Sequence, residues 1–314
     1  ASALGDRHFD LTGGATLTLR GLRLVDGNAT VGEDGGAVRS TAFSELNVEW
    51  SVFRGNSADA GGAIHVAPGS LNVADSHFHL NNAPVGAGSA IRAINASTNV
   101  TLLRSSFVDN RGGFSGWQLF FANIGSSRVE NVTIDGDETV PPTPGLSACF
   151  GLQIQGGGNH VLRNSTITRH ASGPSSCAAM RVSNLESEDS LRVSNTILAD
   201  SPSACRIEDS SDAVIVISHS MINTEDGCAP AFDEVITDSP ELGGLSLDEG
   251  RITWSRRPDS ALANVVDRGT PEDLPLADPD LACSAEDQRG LPRPVDGNGD
   301  LTPRCDLGAI ELEE

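Results

Sequence analysis

The sequence contains no lysine and no tyrosine, and only two methionines and three tryptophans in 314 residues. All 21 basic residues are therefore arginines, set against 43 acidic residues for a net charge of −22. This shortage of positive charge argues against nucleic acid, whose phosphates a partner must neutralise. It argues equally against an anionic membrane surface. No apolar run approaches the roughly 20 residues of a membrane-spanning helix. Cys-x-x-Cys is absent, which disfavours zinc. Gly-x-Ser-x-Gly is absent too, which removes one route to a serine nucleophile. The chain opens Ala1-Ser2-Ala3 with no initiator Met and no visible signal peptide, so its start reads as processed or trimmed. Free use of Asp and Glu without Lys fits a high-salt or high-GC bacterial source, or plain drift in codon usage.

What is present is a repeat. An apolar-x-apolar segment, a small polar pair and an apolar anchor recur at Leu24, Phe53, Phe78, Phe107, Ile134, Ile167, Ile197 and Met221. The spacings are 29, 25, 29, 27, 33, 30 and 24 residues. Three residues after the anchors stand Asn56, Asn81, Asn110, Asp137, His170 and Asp200. A second element interleaves: Gly35-Gly36-Ala37-Val38, Gly61-Gly62-Ala63-Ile64 and Gly88-Ser89-Ala90-Ile91, continued loosely by Leu119, Leu152, Met180 and Cys205. The segments alternate, are rich in Val, Ile, Thr and Phe, and are punctuated by Gly and Asn. Short strands repeating at this period make the coils of a β-solenoid. One coil cannot bury its own apolar side, so the coils must stack. The Asn positions fall at corners, where a left-handed backbone, a side chain bonding its own backbone and coil-to-coil ladders are all useful.

Phe53-Arg54-Gly55-Asn56 with Gly61-Gly62-Ala63-Ile64 resembles the Phe-x-x-Asn and Gly-Gly-Ala-Ile/Leu/Val repeats of the polymorphic outer-membrane protein family. Phe78-His79-Leu80-Asn81 and Phe107-Val108-Asp109-Asn110 repeat the first element. The resemblance runs from about residue 35 to 110. It implies a right-handed parallel β-helix on a bacterial surface and, with less force, adhesion.

Residues 228–314 break the repeat. They hold 9 of the 16 prolines and a net charge of −13. An acidic, loop-rich C-terminal cap on the end of a β-helix spanning residues 1–227 is expected. The stretch from Asp287 to Glu311 resembles the C-terminal region of bacterial choice-of-anchor β-helix proteins. That likeness implies envelope anchoring through a further segment beyond Glu314, either cleaved or removed, with a simply secreted member as the alternative. Six cysteines in such a chain suggest disulfides, with free buried thiols as the alternative. Cys149 and Cys177 are 28 apart, and Cys205 and Cys228 are 23 apart, each close to one coil. Cys283–Cys305 would then staple the tail.

Two constellations point to ligands. The residues after the Gly-Gly-Ala anchors should face outward in one column: Arg39, His65, Arg92, Phe120, Gln153, Arg181 and Arg206. Such a ladder either binds carboxylated or sulfated glycans or is a solvated face paired with neighbouring carboxylates. Asp296-Gly297-Asn298-Gly299-Asp300, followed by Thr302 and Asp306, resembles the start of a calcium loop. It departs at Leu301, where glycine is usual, and at Leu307, where a bidentate Glu is usual. An Asp/Gly-rich turn is the alternative, and no other cofactor is expected. The first functional reading is an extracytoplasmic bacterial surface or secreted protein that recognises a polysaccharide or a host or cell-surface component without catalysis. The alternative is a polysaccharide lyase or glycoside hydrolase working in the β-helix groove. Lysine and tyrosine bases are excluded, so a lyase would rely on His or Arg, with His65, His77 and His79 beside Glu49 or Asp75 as the acid–base set. The turn from Asp135 to Ser147 is the natural wall for such a groove.

Overall fold

The computed structural model describes residues 5–113, 116–136, 150–169, 178–208, 210, 212–223, 227–228, 232–271 and 278–313. The described residues form a parallel β-solenoid with three strands per coil. Strands of the first face include Phe9–Leu11, Ile91–Ile94, Trp117–Ala122, Ala178–Ser183 and Ser203–Glu208. Those of the second include Thr16–Arg20, Asn99–Leu103, Ser126–Glu130, Asn159–Arg163 and Ser190–Ser194. Val38–Glu49 and Ile64–Ala74 run continuously through both faces, which joins them into one 15-stranded sheet. The third face stacks eight strands, from Arg23–Val25 to Met221–Ile222, so seven turns separate its first strand from its last.

The core follows the period of two. Leu46 and Val48, Leu71 and Val73, and Val100 and Leu102 point inward and pair in register from coil to coil. Phe53, Phe78 and Phe107 are fully buried, with ring centroids 4.6 and 4.8 Å apart. The coil spacing of about 4.8 Å brings identical positions into stacking contact. One register expectation is corrected. Leu198, not Ile197, pairs with Ile167, and Ile222, not Met221, follows it. Both coils carry two adjacent apolar residues, and the outward one of each is buried by the tail.

The asparagines form a ladder, with a change in mechanism. The left-handed residue is the one before each: Gly55 (φ 65°), Leu80 (φ 55°) and Asp109 (φ 50°). The amide oxygen of Asn81 accepts from the backbone N–H (3.0 Å) and Nδ2 (2.9 Å) of Asn56, and Asn110 does the same for Asn81. Gln118, from the first face, closes the ladder by accepting from Nδ2 of Asn110 at 2.8 Å. A hydroxyl ladder runs beside it. Ser76 Oγ accepts from Ser51 N–H, and Ser105 Oγ from Ser76 N–H, each at 3.1 Å. Asp137 and His170 lie outside the described residues.

The solenoid persists past residue 227. Phe232–Asp233 pairs with Ile217–Ser218, and Ile236 bridges Met221. The tail then turns back along the rod instead of staying on its end. Arg251 Nη1 reaches Asp75 at 3.0 Å, Trp254 N–H donates to Ser106 Oγ at 3.0 Å, and Arg256 forks onto Asp135. Arg128 and Arg192 of the second face hold Asp280 and Asp278 of the tail. The acidic excess of the tail is thus partly matched by arginines on the rod. Val265, Val266 and Leu307 cover Ile197 and Met221. Cys205–Cys228 and Cys283–Cys305 are bonded, with Cα atoms 5.3 and 6.4 Å apart. Cys149 and Cys177 lie outside the described residues.

Candidate functional site

The first face carries the predicted column in unbroken register. Arg39 pairs with His65, His65 with Arg92, Arg92 with Phe120, Phe120 with Gln153, Gln153 with Arg181 and Arg181 with Arg206. The turn before the column requires glycine. Gly61 has φ +61°, and a Cβ on Gly62 would lie 2.3 Å from the Ser89 carbonyl oxygen. Stacked glycine turns therefore set the coils to begin the face at one level, and the side chains after them align. Asp10 extends the column, paired with Arg39. Its coil lacks the Gly-Gly-Ala signature, and only the alternation in Phe9-Asp10-Leu11 marks it. Past Cys228, the tail makes its described contacts with the second and third faces and their shared corner, leaving the column untouched.

The column is a set of ion pairs more than a basic strip. Arg39 Nε lies 3.1 Å from Asp10 Oδ1, Arg92 Nη1 2.5 Å from Asp34, and Arg181 and Arg206 each 2.6 Å from Glu208. The hydrogen bond from Arg39 lowers the Asp10 pKa, and that from Arg181 lowers the Glu208 pKa. His65 Nδ1 is 3.5 Å from Asp34. Burial pushes the His65 imidazole down to about 4 despite that carboxylate, so it is neutral at pH 7. Beside this group opens a cleft of about 330 Å³, lined by Asp34, Asp59, Val85, Arg92 and Phe120. Phe120 packs against the buried Trp117 and Ala178, which fixes the aromatic ring at the cleft wall. The carboxylates Asp34 and Asp59 were not singled out in the sequence. They stand in corner loops whose only signal is a neighbouring Gly-Gly-Ala.

The other imagined acid–base residues do not join this cleft. His77 is buried on the third face, with Nδ1 2.8 Å from Ser106 Oγ and its ring stacked near Trp254 of the tail. Burial pushes its pKa down to about 3. His79 stacks on His77, Asp75 is clamped by Arg104 and Arg251, and Glu49 lies 3.6 Å from Arg20. Residues 137–147 of the proposed groove wall lie outside the described residues.

The calcium-loop residues divide. Asp296 accepts from the N–H groups of Gly299, Asp300 and Leu301, Asn298 from that of Asp300, and Asp300 from that of Thr302. Their oxygens still have free lone pairs at the surface. Asp306 belongs to a buried network instead, accepting from the N–H groups of Asp267 and Leu312. Among the described residues, no three His, Cys, Asp or Glu side chains gather as a metal-holding group.

Compared with protein-family models, with curated proteins and with solved structures, the chain matches none. The likeness to surface β-helix repeats is therefore supported at the level of the parallel β-solenoid, and the particular repeat family is not shown.

Proposed function

We propose that this protein is an extracytoplasmic bacterial recognition rod that binds a polysaccharide along the Arg39–Arg206 column without chemical turnover. The observation that carries the reading is the register. Seven side chains repeat at the coil spacing of about 4.8 Å on a face that the described tail residues leave open, with His65 and Gln153 buried and the other five partly exposed. A periodic row of polar groups interrupted by one aromatic ring suits a periodic sugar ligand. Arg92 and Asp34 offer a donor and an acceptor that the protein already orients, and Phe120 offers an apolar plate for a sugar ring. Two bonded cystines support an oxidising, extracytoplasmic setting.

The test is affinity electrophoresis against neutral and anionic polysaccharides. Phe120→Ala should weaken binding at least tenfold while leaving the melting temperature within a few degrees. Equal binding by the variant would remove the column from the reading. The lyase or hydrolase alternative has one observation in its favour, the neutral His65 beside Asp34 and Arg92. It is tested with the same polysaccharides by reducing-end release and ultraviolet absorbance of unsaturated products. Clear turnover, lost in His65→Gln, would replace the recognition reading. Calcium is retained as an accessory proposal in narrower form, with Asp296, Asn298, Asp300 and the Thr302 carbonyl as donors and without Asp306.

A further inference from the structure

Most arginines in this chain lie against a neighbouring carboxylate, as in the column, along the second face and in the tail. Arg268 and Arg304 are two of those without such a partner among the described residues, and they share a cavity. Both line a cavity of about 380 Å³ at the C-terminal end of the rod, together with Glu234, Val235 and Ile236. Neither guanidinium has a carboxylate partner among the described residues, although Asp267 is adjacent in sequence to Arg268. The Asp267 carboxylate instead accepts from the backbone N–H groups of Asn298 and Arg304. Two guanidinia lining one cavity, one exposed and one half-exposed, present paired donors to an anion entering it. Glu234 sits opposite in function. His219, 5% exposed, places Nε2 3.1 Å from a Glu234 oxygen, and neither ring nitrogen makes a hydrogen bond among the described residues. Val235 and Ile236 supply an apolar wall.

We infer that this cavity binds an oxyanion-bearing sugar, a uronate or sulfated residue. Arg268 and Arg304 take the anionic group, since paired guanidinia match its planar or tetrahedral oxygens. Glu234 accepts from a ring hydroxyl, and the aliphatic pair lies against the sugar's apolar face. Glu234, Val235 and Ile236 come from the last partial coil, whereas Arg268 and Arg304 come from the tail. The site thus exists only when the tail is docked. It is separate from the column and stands whether or not the column binds a polysaccharide.

Isothermal titration of the whole chain with glucuronate, a sulfated galactose, neutral glucose and inorganic sulfate tests the assignment. One of the two acidic sugars should bind, and the tighter one identifies the anion. Glucose should not bind, and inorganic sulfate should bind at least tenfold more weakly than the preferred sugar. Arg268→Gln and Arg304→Gln should each weaken binding at least tenfold. Arg268 is exposed, so its variant is expected to keep the wild-type melting temperature. Glu234→Gln should weaken the sugar but not inorganic sulfate, and Arg54→Gln, at an exposed third-face position, should change nothing. Binding of glucose at equal strength, unaltered affinity in both arginine variants, or inorganic sulfate as tight as the sugars would each overturn the assignment.

Discussion

Removing the Asn81 side chain tests the stacked-coil account most directly. Its amide is fully buried and makes four hydrogen bonds at once. The oxygen accepts two from Asn56, at 3.0 and 2.9 Å, and Nδ2 donates to the Phe53 carbonyl (3.0 Å) and to Asn110 Oδ1 (2.8 Å). In Asn81→Ala both donors of Asn56 lose that acceptor in a site water does not reach. Each buried group left unsatisfied costs about 1–3 kcal/mol, so a loss of roughly 2–6 kcal/mol is expected. Asn72 is the internal control. It has the same side chain and the same coil-to-coil contact, Nδ2 to Asn47 Oδ1 at 2.8 Å, but it is half-exposed. Water can replace its partner, so Asn72→Ala should cost about 1 kcal/mol or less. Urea unfolding of both variants, read as a shift in midpoint at constant slope, gives the comparison. Equal losses in the two variants, or a loss under about 1 kcal/mol for Asn81→Ala, would refute the claim that burial of the ladder holds the coils in register.

Three further outcomes are expected. Asp306 is buried among Glu311, Asp267 and Arg293, and burial raises its pKa from 3.8 to about 7. A carboxyl raised in the folded state stabilises most below its unfolded pKa, and that contribution is lost as pH rises through about 7. The tail should therefore loosen between pH 5 and pH 8, seen as faster amide exchange around Asp306 that Asp306→Asn flattens; a pH-independent wild type would contradict this. Asp135→Asn strands the buried Arg256, 2% exposed, and should cost about 3–5 kcal/mol. Limited proteolysis should then cut the tail near Arg256 before the coils, and cleavage at the wild-type rate would speak against that anchor. Millimolar calcium should raise the melting temperature by a few degrees, an effect absent in Asp300→Asn, and a flat titration would remove the ion from the account.

The solenoid itself was legible in the sequence. Alternation fixes which side chains point inward, a period near 28 residues fixes the coil, and Gly-Gly-Ala or Gly-Ser-Ala marks where three of the first-face strands begin. The Arg39–Arg206 column follows from these two periods alone, because side-chain direction in a strand has a period of two. The period became ambiguous where two apolar residues adjoin, at Ile197-Leu198 and Met221-Ile222, and there the expected anchor was displaced by one.

The tail's course was not legible, and the reason is physical. It has few strands and no period, and its contacts join residues far apart in the chain, as Arg251 joins Asp75 and Arg256 joins Asp135. Only the folded rod brings those partners to one flank. The same holds for charge. Composition sets a net −22, but the tertiary structure decides that the column's arginines are neutralised by Asp10, Asp34 and Glu208. It also places Arg268 and Arg304 in one cavity without a carboxylate partner among the described residues. Local periodicity determines which residues share a face, and long-range packing determines which of their charges remain available to a ligand.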